Sequence, residues 1–282
     1  MQSFMKKKKI KFSVLMSVYY KEKPLQLDAA MESVFSQTLM PDEVILVEDG
    51  PLTSDLDETI KKYLDKYSEI LKVIKLSQNR GLGNALNEGL KHCSYEYVAR
   101  MDTDDISESK RFEKQIKYLS ENNNIDVLGT NIVEYDDLMK NKLSKRTVPT
   151  NDEEIKKYAK SRNPMNHVSV IFKKQNVLKA GGYQDCLYFE DYFLWVRMIQ
   201  NGNTFHNIQE SLVNVRGGDE MIDRRGGIKY IKAIYNFEKK IKKLNFIDSK
   251  EFIYNIVART TVAIIPKFLR KAIYEKKLRI EV

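Results

Sequence analysis

Three carboxylates, Asp102, Asp104 and Asp105, follow an apparent β-strand near the middle of the chain. Residues 95–101, just before them, are rich in aromatic and β-branched side chains, which predicts a strand. Side chains two apart on an extended chain point the same way, so Asp102 and Asp104 should converge. Close carboxylates repel unless a cation lies between them, and oxygen ligands suit Mg²⁺ or Mn²⁺ shared with substrate phosphates. The alternative is a solvated acidic turn that caps the following helix.

Strands and helices alternate over residues 12–132, which predicts parallel pairing and an α/β sheet covered on both faces. Ligands of such sheets bind beyond the carboxyl ends of the strands, where Tyr19, Asp49 and the three aspartates fall. The expected strands are 12–19, 43–47, 71–76, 125–133, 168–172 and 204–208, and the expected helices are 24–37, 55–68, 82–92 and 190–200.

The composition of the chain argues against several kinds of site and segment. The 282 residues include only two cysteines and three scattered histidines, which argues against a disulfide scaffold or a zinc site. No secretory signal and no stretch of about 18 uncharged apolar residues is present. We therefore expect a cytoplasmic protein without a transmembrane helix.

The basic excess is confined to the C-terminal fifth of the chain. Residues 225–282 hold 15 Lys and Arg against 5 Asp and Glu, whereas the whole chain carries a net charge of +9. Apolar residues from Ile253 to Phe268 recur there at near-helical spacing, with Pro266 expected to break the helix. Such a basic amphipathic segment can lie on a membrane surface, or it can pack against the rest of the chain or a second subunit. Because few aromatic residues form stacking platforms, we expect no nucleic-acid partner.

A glycine-containing turn, Asn79-Arg80-Gly81, precedes a predicted helix. Its backbone N–H groups and guanidinium can contact a phosphate or a base. The segment lacks the third glycine of a dinucleotide fingerprint, and the chain has no P-loop motif, so neither a Rossmann dehydrogenase nor a P-loop NTPase is expected.

Five short motifs occur in order and together resemble glycosyltransferase family 2, the inverting nucleotide-sugar transferases with the GT-A fold. The runs at 163–167 and 224–227 further resemble bacterial capsule and O-antigen transferases, many of which extend a sugar on a polyprenyl-diphosphate lipid. The five motifs are Ser17-Val18-Tyr19, Val47-Glu48-Asp49-Gly50, Asn79-Arg80-Gly81-Leu82-Gly83, Met101-Asp102-Thr103-Asp104-Asp105 and Phe189-Glu190-Asp191-Tyr192.

The resemblance implies a GT-A catalytic domain over residues 1–224 and a basic helical extension over 225–282. The catalytic domain would have a mostly parallel central sheet flanked by helices, with a nucleotide-sugar half at about 10–105 and an acceptor half at about 106–224. The implied nucleotide-sugar contacts are Ser17, Val18, Tyr19, Glu22, Asp49, Arg80, Gly81, Arg100, Asp102 and Thr103.

The family's remaining roles fall on acidic residues. Asp49 would accept a hydrogen bond from the uracil N–H, and Asp104 would bind Mn²⁺ or Mg²⁺ beside Asp102. The adjacent Asp105 is a second candidate for the metal position, so the choice between the two stays open. Asp191 would be the catalytic base, since inversion needs a carboxylate opposite the leaving group to take the acceptor proton.

Three further residues, His167, Glu190 and Trp195, are candidates for contact with the acceptor or the diphosphate. Each has a structural alternative: a satisfied buried histidine, a helix N-terminal charge and a core tryptophan, respectively.

These expectations describe an enzyme that transfers a hexose from a UDP-sugar to a glycan or polyprenyl-diphosphate-linked saccharide in surface-polysaccharide synthesis. It would act in the cytoplasm, with peripheral attachment to the inner face of the membrane as one option, and its oligomeric state is open. Two other classes remain as alternatives. A sugar nucleotidyltransferase would release pyrophosphate, although residues 19–22 lack the glycine expected in its first loop. A non-enzymatic basic binding protein would act through residues 225–282.

Overall fold

The computed structural model describes residues 10–217 and 223–277. Its first half alternates strictly between strand and helix, as predicted. The strands pair in parallel in the order β3-β2-β1-β4, which brings their carboxyl ends to one edge. The elements are β1 (Phe12–Val18), α1 (Pro24–Phe35), β2 (Glu43–Glu48), α2 (Ser54–Tyr67), β3 (Leu71–Lys75), α3 (Leu82–His92) and β4 (Tyr97–Arg100).

The sheet continues into the second half of the chain but becomes mixed. β8 lies antiparallel between β4 and β6, β9 pairs in parallel with β6, and β5 and β7 add antiparallel edges. These elements are β5 (Ile106–Ser107), α4 (Arg111–Glu121), β6 (Val127–Tyr135), β7 (Lys142–Arg146), α5 (Asp152–Tyr158), a 3₁₀ turn (His167–Ser169), β8 (Ile171–Lys173), α6 (Lys174–Lys179), α7 (Glu190–Gln200) and β9 (Phe205–Arg216).

Two predicted strands differ from those observed. The strand expected at 168–172 begins as the 3₁₀ turn, because the Ser169 N–H and hydroxyl both bond to the carbonyl oxygen of Asn166, at 2.8 Å each. The strand expected at 204–208 extends to Arg216, since residues 211–216 pair with β6 although polar residues, Gln209 and Glu210, interrupt the apolar pattern before them. Backbone pairing with a distant strand decides both boundaries.

Two hydrophobic clusters cover opposite faces of the sheet. Neighbouring residues of β1 divide between them, with Val14 and Met16 facing α1 and α2 and Leu15 facing α3. Their complete burial accounts for the continuous apolar runs by which the strands were predicted.

Three helices follow residue 223: α8 (Gly227–Lys243), α9 (Ser249–Ile264) and α10 (Lys267–Lys277). The predicted break at Pro266 is confirmed, because it lies between α9 and α10. A third apolar cluster joins Phe237 and Ile234 of α8 to Tyr192 and Phe193 of α7. The inner face of the basic extension therefore packs against the preceding part of the chain. Residues 278–282 of the predicted extension lie outside the described residues.

No helix within residues 10–217 and 223–277 is long and apolar enough to cross a bilayer.

Candidate active site

The aspartate motif lies just beyond β4, at the carboxyl edge of the parallel strands. The Thr103 hydroxyl lies 2.5 Å from the Glu22 carboxylate and 3.1 Å from the Ser17 carbonyl oxygen. These contacts tie the loop after β1 to the aspartate motif. The structure thus brings together three residues that the sequence assigned to the nucleotide-sugar site.

Asp102, Asp104 and Glu22 form a compact acidic group. Burial, with the charges of Asp102 and Glu22, raises the pKa of Asp104 to about 7. Burial also raises the pKa of Glu22, with Asp102 adding to the increase. A cation placed among these carboxylates would relieve their mutual repulsion.

Asp105 has a different environment from Asp104. It is 3% exposed, and its Oδ1 accepts a hydrogen bond from the Arg216 backbone N–H at 2.9 Å. Asp105 therefore fixes the end of β9, whereas the side chain of Asp104 is not engaged in this way. This difference favours Asp104 over Asp105 as a metal ligand.

Arg100, predicted to contact the nucleotide sugar, is completely buried. Its guanidinium donates to the Asp102 carboxylate and to the Met101 carbonyl oxygen. A second buried guanidinium, that of Arg111, donates to the Arg100 carbonyl oxygen at 2.7 Å. Burial, together with the charge of Arg100, lowers the pKa of Arg111 to about 9. Arg100 therefore positions Asp102 from beneath, and its contact with the nucleotide sugar stays a prediction.

Asp49 organises the turn before α3. Its Oδ1 accepts from the Arg80 N–H at 2.7 Å and its Oδ2 from the Gly81 N–H at 2.9 Å. The adjacent Gly50 has φ +90°, and a Cβ there would lie 2.6 Å from the Asn79 nitrogen. Only glycine allows this close approach of the two loops. Arg80 and Tyr19 are exposed beside them, at the same edge of the sheet.

Asp191 is in the first turn of α7, and its Oδ2 accepts a hydrogen bond from the Asn163 side-chain amide at 2.6 Å. Burial raises the pKa of Asp191, while the bond from Asn163 lowers it. Burial raises the pKa of Glu190 to about 7, and the charges of Asp191 and Asp102 contribute. Asp102, Glu190 and Asp191 line one cavity, so the two acidic motifs lie on a common wall in the folded chain.

His167 and Trp195 both contact other side chains of the protein. His167 Nε2 shares a hydrogen bond with the Tyr183 hydroxyl at 2.8 Å, and burial, with Arg100 nearby, lowers the pKa of His167 well below its usual value. Trp195 is completely buried, with its ring centroid 6.0 Å from that of His167 and 6.3 Å from that of Phe205. The core alternative therefore describes Trp195 in this structure, and its contact with the acceptor or the diphosphate stays a prediction.

A cavity of about 860 Å³ joins the two acidic motifs, with Asp102, Glu190 and Asp191 on its wall. Sequence reasoning missed the role of Asn163 in orienting Asp191. It also missed Arg146, whose guanidinium donates to the Asn163 carbonyl oxygen at 2.8 Å and to Asn166 Oδ1 at 2.6 Å. The signal was present in the run at 163–167, but no local pattern connects that run to α7.

Comparison with known proteins agrees with this geometry. Residues 13–180 match the profile of the family described as Glycosyl transferase family 2. The chain belongs to this family.

Two full-length relatives are similar. The amylovoran biosynthesis glycosyltransferase AmsE of Erwinia amylovora is 39% identical over 94% of this chain and 98% of its own. The Escherichia coli enzyme named UDP-Gal:alpha-D-GlcNAc-diphosphoundecaprenol beta-1,3-galactosyltransferase is 40% identical over 95% of this chain and 97% of its own.

Solved structures agree on the fold. S. aureus TarS 1–349, in complex with UDP-GlcNAc, superposes with a TM-score of 0.66 at 17% identity, covering 96% of this chain and 77% of that one. The mannosyltransferase PcManGT of Pyrobaculum calidifontis, in complex with GDP-Man and Mn²⁺, gives a TM-score of 0.64 at 15% identity, covering 90% and 70%. The predicted GT-A fold is confirmed, and the protein is a glycosyltransferase. Family membership sets aside the nucleotidyltransferase and the non-enzymatic binding protein.

Proposed function

We propose that this family 2 enzyme transfers a hexose, with inversion, from a UDP-sugar to a polyprenyl-diphosphate-linked saccharide or glycan during surface-polysaccharide synthesis. The observation that carries the proposal is the single cavity shared by Asp102 and Asp191. The names of the two full-length relatives support its substrates, since one acts in amylovoran biosynthesis and the other's name specifies UDP-Gal and a diphosphoundecaprenol-linked GlcNAc.

The acidic group suits a hard divalent cation. Asp104, with Asp102 beside it, would hold Mn²⁺ or Mg²⁺ through carboxylate oxygens. Among residues 10–217 and 223–277, no three His, Cys, Asp or Glu side chains are placed to hold a metal ion by themselves. The donor's diphosphate would supply further oxygen ligands. When bound, the ion would neutralise charge on the departing nucleoside diphosphate.

The donor's base would lie at Asp49, Tyr19 and Arg80. Each Asp49 oxygen already accepts one backbone N–H, and a carboxylate oxygen has a second lone pair for the uracil N–H. Both the preorganised turn and this free lone pair support a uridine site.

Asp191 would act as the general base. As the acceptor oxygen bonds to the anomeric carbon and the bond to the diphosphate oxygen breaks, the acceptor proton passes to the Asp191 carboxylate. The Asn163 bond holds this carboxylate in one orientation and favours its ionised form. The adjacent Glu190, whose pKa burial raises to about 7, lies on the same cavity wall, but the Asn163 amide orients Asp191 and not Glu190.

Peripheral attachment to the membrane is proposed for the outer surface of the C-terminal helices. Lys229, Lys232, Lys239 and Lys243 lie along one face of α8, in a groove of about 510 Å³, and form no ion pair with other described residues. On α9 and α10, exposed apolar side chains include Tyr254, 68% exposed, and Phe268, 71% exposed. Lysines and exposed apolar residues within one helical extension are the chemistry that an anionic membrane surface attracts.

The test is a screen of UDP-hexoses with Mn²⁺ and a synthetic GlcNAc-diphosphate-alkyl acceptor, with released UDP as the readout. We expect one or two donors to give UDP and a glycoside whose anomeric configuration, determined by NMR, is opposite to that of the donor. Retained configuration would exclude the single-displacement reaction. Consumption of nucleoside triphosphates with release of pyrophosphate would exclude the whole proposal.

A further inference from the structure

The wall of the active-site cavity carries side chains of both charges. Its carboxylates are Asp102, Glu190 and Asp191. Residues 158–163 and the C-terminal helices contribute tyrosines and arginines to the same wall. The arginines are Arg146, Arg162, Arg224, Arg225 and Arg259. Five guanidinium groups on the wall of one cavity favour an anionic ligand there.

Two of these arginines hold the protein together. Arg146 donates to the run at 163–166, as described above. Arg259 donates to the Ser161 carbonyl oxygen at 2.7 Å and pairs with the buried Glu238 at 3.1 Å. Their charges are therefore engaged within the fold.

Arg162 differs from both. Its guanidinium lies 5.8 Å from the centroid of the Tyr158 ring. Its side chain makes no hydrogen bond or ion pair with any residue in 10–217 or 223–277. The ring and the cavity wall position its fork of donors, which matches the geometry of phosphate oxygens and leaves them available to a ligand.

The position of Arg162 relates it to the reaction. It immediately precedes Asn163, whose amide contacts Asp191. In a saccharide joined to a lipid through diphosphate, only one sugar ring need separate the reacting hydroxyl from the first phosphate. A hydroxyl at Asp191 thus places that phosphate within reach of a neighbouring arginine.

The cavity wall also suits the alkyl chain that follows such a phosphate in a lipid-linked saccharide. Tyr254, Val262 and Ile273, on α9 and α10, line it, and Val257 on α9 is 60% exposed. An alkyl chain leaving the phosphate would find an apolar path towards the surface proposed to meet the membrane.

We propose that the part of the cavity wall around Arg162 is a subsite for the phosphate that adjoins the acceptor sugar. Arg162 would be its contact residue. The inference rests on the proposed acceptor class. The donor also carries phosphates, and the experiment distinguishes the two ligands through the KM for the donor.

The experiment compares two synthetic acceptors, N-acetylglucosamine-diphosphate-alkyl and the corresponding alkyl glycoside without phosphate. Wild type, Arg162→Gln and Arg162→Lys are assayed with each, using the donor identified in the UDP-hexose screen. Lys157→Gln, on the exposed face of α5, is the matched control for loss of one positive charge.

We expect wild type to have a KM at least about 10-fold lower for the diphosphate acceptor, since a guanidinium–phosphate pair is a charge-assisted interaction. Arg162→Gln should raise that KM about 10-fold or more, with kcat, donor KM and the glycoside KM little changed. Arg162→Lys should be intermediate and Lys157→Gln unchanged.

Four results would overturn the inference. Equal KM values of wild type for the two acceptors would remove the phosphate subsite and leave the transferase intact. Equal losses by Arg162→Gln on both acceptors would show that Arg162 only positions Asn163. A raised donor KM would instead assign Arg162 to the donor's diphosphate. Failure of wild type to use either acceptor, while UDP-sugar hydrolysis persists, would reject the proposed acceptor class and this inference with it.

Discussion

The side-chain amide of Asn163 donates a hydrogen bond of 2.6 Å to Oδ2 of Asp191, and both residues line the cavity that also contains Asp102. This contact joins the loop before the 3₁₀ turn to the first turn of α7. It gives the proposed catalytic base a fixed orientation before any substrate binds. Such preorganisation is what a positioned base requires.

Replacing Asp191 by asparagine tests the base. Asp191→Asn keeps the shape of the side chain but removes its ability to take a proton, so turnover should fall at least about 10²-fold. UDP affinity, measured by calorimetry, should remain close to that of wild type. Asp185→Asn, at an exposed position outside the cavity carboxylates, is the control. Near-normal turnover by Asp191→Asn would remove Asp191 from this role.

The hydrogen bond from Asn163 predicts a pH effect. Because this bond lowers the pKa of Asp191, Asn163→Ala should raise that pKa. The base must be ionised, so the acid limb of the kcat profile should move to higher pH. A hydrogen bond to a charged group contributes about 1.5 kcal/mol or more, which corresponds to roughly one pH unit. An acid limb at the same pH in both proteins would contradict the assignment.

Asp104 and Asp105 should respond differently to removal. Asp104→Ala should abolish the Mn²⁺-dependent part of UDP binding, determined by calorimetry with and without the metal. Asp105→Ala should keep that binding but lower the free energy of unfolding by about 1 kcal/mol, because the half-buried Arg216 N–H loses its acceptor. The reverse pattern would identify Asp105 as the metal ligand.

The position of Trp195 in the core predicts a loss of stability without a loss of activity. Trp195→Phe should lower the free energy of unfolding by about 1–3 kcal/mol, since the smaller ring leaves a cavity beside His167 and Phe205. The KM for the acceptor should be unchanged when it is measured well below the unfolding temperature. A selective increase in acceptor KM would instead indicate a sugar contact.

The lysine face of α8 predicts salt-sensitive binding to anionic vesicles. The double variant Lys232→Gln/Lys239→Gln should bind phosphatidylglycerol-containing vesicles about 30-fold more weakly, at about 1 kcal/mol for each lysine. Lys61→Gln/Lys117→Gln, which removes two exposed lysines outside the C-terminal helices, should bind like wild type. Equal binding by the two double variants would exclude attachment through α8.

Local sequence signals were sufficient for the parallel half of the sheet. The apolar runs of β1 and β2 and the helical spacing in α1 and α2 identified these elements to within two residues at each end. Strand ends that carry polar residues then located the edge where Glu22, Asp102 and Asp104 meet, because parallel strands place their carboxyl ends together. The break at Pro266 followed from the missing N–H of proline.

Other assignments depended on contacts between residues far apart in the chain. Arg100 is the last residue of β4, where a side chain can face either the ligand site or the core. Only its contacts with Arg111 and Asp102 in the folded chain show that it is buried. Asp104 and Asp105 are chemically alike, and the Arg216 N–H on β9 distinguishes them. The sequence by itself determined the family motifs and the parallel sheet, since these are encoded in local spacing. Tertiary structure decided which side chains face the cavity, because that depends on how β8, α7 and the C-terminal helices pack around it.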